Sequence, residues 1–233
     1  MEGQFSYYDL VAHVVPGTLV LGVLALVPSV FGFTVPLPRS DAVTLAAGLP
    51  VTYAVGQVVQ AVSSLLQPLY YRLWGGMPST VILEGRSTRL QGTRLRALVD
   101  GLADPRAASV DTPEARRALF SSAMAVCNRH QLGRVGEFNA SYAFHRALLT
   151  TGVLTSAMLA IALVLSELGV DSATSALGPS LVYLLVLALA LTAIEFVRAR
   201  QRGEYFAIEV LDMAYVQSLE GSATPTTGVE GPA

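Results

Sequence analysis

Four long apolar runs dominate the chain, at about residues 10–33, 42–69, 147–168 and 179–197. Each is long enough, at 1.5 Å per residue, to cross a hydrocarbon core of roughly 30 Å as a helix. Between the second and third runs lies a different stretch, residues 75–146, in which polar and apolar positions alternate with helical spacing. The pattern predicts an all-α polytopic membrane protein. Four transmembrane helices form two hairpins, residues 1–74 and 147–197. A small helical cytoplasmic segment, 75–146, separates them. An amphipathic helix, 198–220, and a disordered Gly/Thr/Pro tail, 221–233, follow.

The second run is the exception to plain hydrophobicity. Tyr53, Gln57, Gln60, Ser64 and Gln67 fall at offsets of four, three, four and three residues. That spacing aligns them on one helix face. Polar groups in hydrocarbon are costly unless they meet partners or water, so this face is expected to line a pore or to bond neighbouring helices. No other run carries a comparable stripe. In the third run, Gly152, Ser156 and Ala160 are small residues four apart, a pattern that lets another helix approach closely.

Local signals refine the boundaries. Ser6 and Asp9 have capping-box spacing before the first run. Asp9 and His13, one turn apart, read either as a proton-sensitive pair or as a cap beside an interfacial His. Pro16-Gly17 is expected to bend the first helix, and Gly48 with Pro50 to kink the second. Tyr70, Tyr71 and Trp74 form an interfacial aromatic belt. Gly75-Gly76-Met77-Pro78 breaks the chain there. A helix is expected from Leu90 to Ala103, and Thr112-Pro113-Glu114 starts another that runs to about Arg129. From Leu132 a helix should run straight into the third run. Arg134, Phe138, Tyr142 and Arg146 sit four apart along it. They read as a docking surface for a cytoplasmic partner or anionic headgroups, or as juxtamembrane residues whose Arg side chains snorkel. Gly203 allows a turn after the fourth run. The helix beyond it presents Glu204, Glu209 and Asp212 on its polar side, so packing against the Arg-rich segment is expected.

Composition sharpens this picture. Hydrophobic residues make up 52% of the 233 and charged residues only 14%, against about 25% charged in soluble domains. All 15 basic residues are Arg, which excludes chemistry that needs Lys. Thirteen of them lie in residues 75–146 and 198–220, Arg72 lies just before the central segment, and only Arg39 lies in a loop between paired runs. The positive-inside rule then places both termini and the central segment in the cytoplasm. Met1 to Asp9 lacks a basic signal region, and no A-x-A site closes the first run, so that run is expected to be retained. The net charge of −2 gives no case for nucleic acid.

Candidate catalytic chemistry is thin. Cys127 is the one cysteine, which excludes an internal disulfide or a cysteine zinc cluster, and it reads as a small core residue. The His residues at 13, 130 and 145 lack metal-ligand neighbours. No enzyme activity, catalytic residue, metal or cofactor is expected. Glu195, with Arg198 three residues on, is expected to form a local pair.

The opening Phe5-Ser6-Tyr7-Tyr8-Asp9 with Pro16-Gly17, and the stripe Arg134, Phe138, Tyr142 and Arg146 before a span, resemble small bacterial four-span inner-membrane proteins. Some of these act as membrane effectors beside a soluble sensor in antiphage systems. The resemblance implies a bacterial inner-membrane location and an antiviral effector role, and it transfers no functional residue. With the polar stripe, it gives the expected function: a homo-oligomeric channel or membrane-perturbing effector in the lipid bilayer, controlled from the cytoplasm. A non-conducting anchor or scaffold that recruits a soluble cytoplasmic partner fits the same features. A secondary transporter is weakened by the lack of a mid-span acid or base.

Overall fold

The computed structural model describes residues 7–30, 42–102, 112–130, 132–168 and 178–223. Every regular element among them is an α-helix: α1 (Tyr7–Val30), α2 (Ala42–Trp74), α3 (Pro78–Leu83), α4 (Gly92–Leu102), α5 (Pro113–Arg129), α6 (Gly133–Glu167) and α7 (Gly178–Ala223). Three helices among the described residues, α2, α6 and α7, are long and apolar enough to cross a membrane, and α1 carries a shorter apolar stretch, Ala12–Ala25. The chain is therefore read as a membrane protein. Ser6, the loop 34–41 and most of the tail 221–233 lie outside the described residues, as does most of the loop after α6. The side chain of Asp9 does too, so its relation to His13 is not described.

The chain divides into two compact units, Met1–Tyr70 with Asn139–Arg202, and Tyr71–Phe138 with Gly203–Ala233. In the first unit, glycines set the closest approach of α1 and α2. A Cβ on Gly17 would run into the backbone of Thr52, and one on Gly56 into the backbone of His13. The pairs 17–52 and 13–56 run in opposite senses, so α1 and α2 form an antiparallel contact. Gly17 thus serves packing, which the sequence reading of a Pro-Gly bend did not include. α6 and α7 are antiparallel as well. Gly152 abuts Thr192, Leu159 clusters with Leu181 and Ala188, and His145 meets Glu195. Of the small-residue stripe, Gly152 faces α7 directly, Ser156 is buried and Ala160 is half-buried.

The second unit is a small helical domain with its own core. Ile82, Leu90, Leu95, Leu98, Leu119, Ala123 and Cys127 pack with Ala207, Val210, Leu211 and Ala214 of α7. Local sequence explains its elements. α2 ends where Gly75 and Gly76 take positive φ of 80° and 141°, a conformation that glycine adopts without a Cβ penalty. Thr112 caps α5 in extended conformation, its Oγ1 accepting a bond from the Ala115 amide at 3.2 Å, with Pro113 in the first turn. This is the start that the sequence predicts. α3 was not anticipated. It is a six-residue helix beginning at Pro78, and its apolar residues are buried because α5 and α7 cover them.

α7 departs from expectation. The chain does not turn at Gly203; one helix runs from Gly178 to Ala223. A glycine costs a helix interior about 1 kcal/mol relative to Ala. Burying Ala207, Val210, Leu211 and Ala214 just beyond it offsets that cost. The expected contact of this acidic segment with the Arg-rich stretch is present. Arg89 pairs with Glu204 at 3.3 Å, Arg94 with Asp212, and Arg134 with Glu209 at 2.9 Å.

Candidate functional site

The polar face of α2 lies in the first unit, and its residues have different fates. Tyr53 stacks obliquely on His13 of α1, ring centres 5.2 Å apart. Gln57 Nε2 donates to the Tyr53 hydroxyl at 3.0 Å, one turn back on its own helix, and Gln57 remains exposed. Gln60 reaches across to α6, where Nε2 donates to the Ala143 carbonyl at 3.4 Å. Ser64 donates to the Gln60 carbonyl at 3.0 Å. Gln67 is half-buried and engaged within the structure. Gln60 thus binds a neighbouring helix and Tyr53 rests on α1, while Gln57 is exposed.

Sequence reasoning missed the residue that anchors the lower half of this face. Ser63 is fully buried, and its Oγ accepts from Arg146 Nε at 3.1 Å. Arg146 Nη2 also donates to Ser64 at 3.4 Å, and the guanidinium lies 5.4 Å from the Tyr142 ring centre. One turn on, the hydroxyls of Tyr70 and Thr150 bond at 2.9 Å, buried. Ser63 stands three residues after Gln60 and four before Gln67, so periodicity puts it at the edge of the same face. Only the seating of α6 turns it into a partner.

These bonds carry a topological detail. Gln60–Ala143, Ser63–Arg146 and Tyr70–Thr150 advance in the same sense along both helices. Two consecutive spans must cross a bilayer in opposite senses. The bonds over residues 60–70 and 143–150 are therefore not those of two consecutive spans lying side by side.

The four-apart residues of α6 are divided between the units. In the second, Arg134 pairs with Glu209 and lies 5.9 Å from the Phe138 ring centre. In the first, Tyr142 is buried and Arg146 holds Ser63 and Ser64. All four therefore make contacts inside the chain, and Arg134, its side chain 65% exposed, is the most open to an outside partner.

Two further polar groups meet on the other side of α6. His145 Nδ1 lies 2.8 Å from Glu195 Oε2 of α7. Glu195 does not form the local pair with Arg198 that its sequence suggests; the structure gives it a histidine 50 residues away. Glu195 also ends a cavity of about 330 Å³ lined by α1, α6 and α7. Among the described residues no group of three or more His, Cys, Asp or Glu could hold a metal.

In the second unit Cys127 is buried and its thiol donates to the Val210 carbonyl at 3.5 Å. Burial pushes its pKa up, and the charge of Glu209 adds to the effect. A thiol so placed is a poor nucleophile at neutral pH.

No family model matches this chain, and neither a curated protein nor a solved structure matches it.

Proposed function

We propose that the protein is a multi-pass membrane protein of the bacterial inner membrane that acts as a homo-oligomeric channel or membrane-perturbing effector. On this reading α1 is a fourth span, both termini and the second unit lie in the cytoplasm, and the protein is not an enzyme. The observation that carries it is Gln57, whose side chain is exposed on α2 and bonds only back to Tyr53 of the same helix. Around it Leu49, Val51, Val58 and Leu65 are exposed too. An exposed amide there calls for water or for another protomer. A ring of protomers would turn it toward a shared, uncharged lumen. Control from the cytoplasmic unit is supported by helix continuity, since α2, α6 and α7 each contribute residues to both units.

A second reading rests on Gln60, Ser63 and Ser64. Their bonds to α6 fit a bundle held together by interhelical contacts, worth roughly 0.6–2 kcal/mol each, as in a non-conducting scaffold whose second unit recruits a soluble partner. Purified protein in dye-loaded liposomes separates the two. A channel releases dye, and Gln57→Leu reduces release while Gln60→Leu mainly loosens the fold. If parent protein leaks under no condition, including with cell extract as a source of the signal, the channel reading fails. A soluble partner captured through residues 75–138 of the intact protein then supports the scaffold.

A further inference from the structure

Arg146 is half-buried in the first unit, yet among the described residues no carboxylate pairs with it. Its guanidinium donates from Nε to Ser63 Oγ at 3.1 Å and from Nη2 to Ser64 Oγ at 3.4 Å, and it lies 5.4 Å from the centre of the Tyr142 ring. Two hydroxyls and a ring hold the fork in place and bring no negative charge. The neighbouring His145 turns the other way and meets Glu195 at 2.8 Å, so that carboxylate is engaged elsewhere. A cation kept in a membrane unit without a counter-ion is costly, and it calls for an anion from outside the chain.

The guanidinium is open where such an anion would meet it. Ser63 is fully buried and Ser64 is exposed, so the fork runs from the α2–α6 contact out to the surface. Its Nη1 has no hydrogen-bond partner among the described residues and is not buried. The surface it reaches is the polar face of α2, where Gln57 and Ser64 are both exposed and stand two turns apart. From Ala42 to Tyr71, α2 has no acidic or basic residue; the charge at this face comes from α6. A snorkelling Arg extends along its own helix toward the headgroups, whereas this one crosses to a buried hydroxyl on another helix. Resting on the channel reading above, we propose that the lumen is selective for small inorganic anions such as chloride, and that Arg146 sets the selectivity. A ring of protomers sets one guanidinium per protomer beside Ser64, and a ring of Arg admits anions and repels cations. The Gln57 amide and the Ser64 hydroxyl lend donors that replace part of the anion's hydration. Because the serines already take up part of the fork, the anion is held loosely enough to leave again, as conduction requires.

The test places full-length protein in planar bilayers of phosphatidylcholine across a potassium chloride gradient and reads the reversal potential. Efflux of uncharged glycerol from matching liposomes is measured in parallel. Chloride should permeate about tenfold or more better than potassium, the scale of one unit charge a few ångströms away. Arg146→Gln keeps an amide donor for the serines and removes the charge, so its ratio should fall to about one while glycerol still passes. Arg146→Lys should retain the preference. Should Arg146→Gln fail to fold, Ser64→Cys in a Cys127→Ser background gives a second reading. Its modification by sulfonatoethyl methanethiosulfonate adds a negative charge beside Arg146 and should lower the chloride preference, and the uncharged methyl reagent should not. Glycerol efflux without anion preference in the parent, or a preference undiminished by Arg146→Gln or by the anionic reagent, overturns the inference and leaves the channel reading standing. No efflux of ion or glycerol under any condition, cell extract included, overturns both. Phosphatidylglycerol retained by the parent in native mass spectrometry and lost from Arg146→Gln, with no anion preference, assigns the guanidinium to a lipid phosphate and overturns the inference as well.

Discussion

Gly17 and Gly56 are the residues at which one methyl group matters most to the first unit. Each brings its helix against backbone of the other, where no side chain can swing aside. Gly56→Leu is therefore expected to destabilise the fold by about 1–3 kcal/mol, as overpacking does, read as a lower unfolding midpoint in mild detergent. Gly22→Leu is the control, because a Cβ there meets nothing within 4 Å; its midpoint should not fall. Cys127 gives a pH-dependent prediction. Its thiol titrates above the ordinary value because burial disfavours the thiolate. The unfolded chain ionises first, so stability is complete below about pH 8.5 and falls as pH rises from there through the folded pKa. Alkylation of native protein should be slow at neutral pH and reach the denatured rate only after unfolding. The glycine contact was half legible in the sequence, which flags small residues but not which backbone they meet.

α7 carries two kinds of ion pair, and they should behave differently. Glu204 is 7% exposed and holds both Ser87 Oγ at 3.0 Å and Arg89. Glu204→Gln removes the charge facing Arg89, which keeps its bond to the Tyr205 hydroxyl, and should cost about 1–3 kcal/mol in thermal or denaturant unfolding. Asp212 pairs with an Arg94 side chain that is 64% exposed. Asp212→Asn should change stability by about 0–1 kcal/mol and respond to salt. The unbroken helix makes a further prediction. Gly203→Pro removes a backbone donor and should cost about 3 kcal/mol or more. If the second unit controls the membrane through α7, this variant leaks without its signal or never leaks; parental behaviour would rule out α7 as the route. Amphipathic spacing put Tyr205, Phe206, Ile208, Leu211, Tyr215 and Leu219 on the packing side of the C-terminal helix, but Tyr205 and Leu219 are exposed while Glu204 and Glu209 are buried beside Ala207, Val210, Leu211 and Ala214. Nor did it foretell continuity, because one glycine is a weak stop when the residues beyond it are buried.

At the scale of the whole molecule, the Arg distribution makes a definite claim about sidedness. In a Cys127→Ser background, Ser40→Cys and Asp171→Cys should label with a membrane-impermeant maleimide on intact cells. Arg117→Cys should label only after permeabilisation. External labelling of Arg117→Cys would reverse the proposed topology and remove the cytoplasmic control unit with it. The same-sense bonds between α2 and α6 bear on the span count and not on sidedness, since consecutive spans cross in opposite senses whereas these bonds advance the same way along both helices.

The apolar runs, the Arg-rich middle and the capped start at Thr112 are local properties, written in hydropathy and cap chemistry, so sequence alone determined a helical membrane protein with a polar face on α2. What that face does is not local. Tertiary structure gave Gln60 to Ala143, buried Ser63 under Arg146 and left Gln57 outside. It also took Glu195 from its neighbour Arg198 and gave it to His145. Periodicity specifies a direction around one helix axis. Which helix stands in that direction, and at what height, depends on packing between residues far apart in the chain.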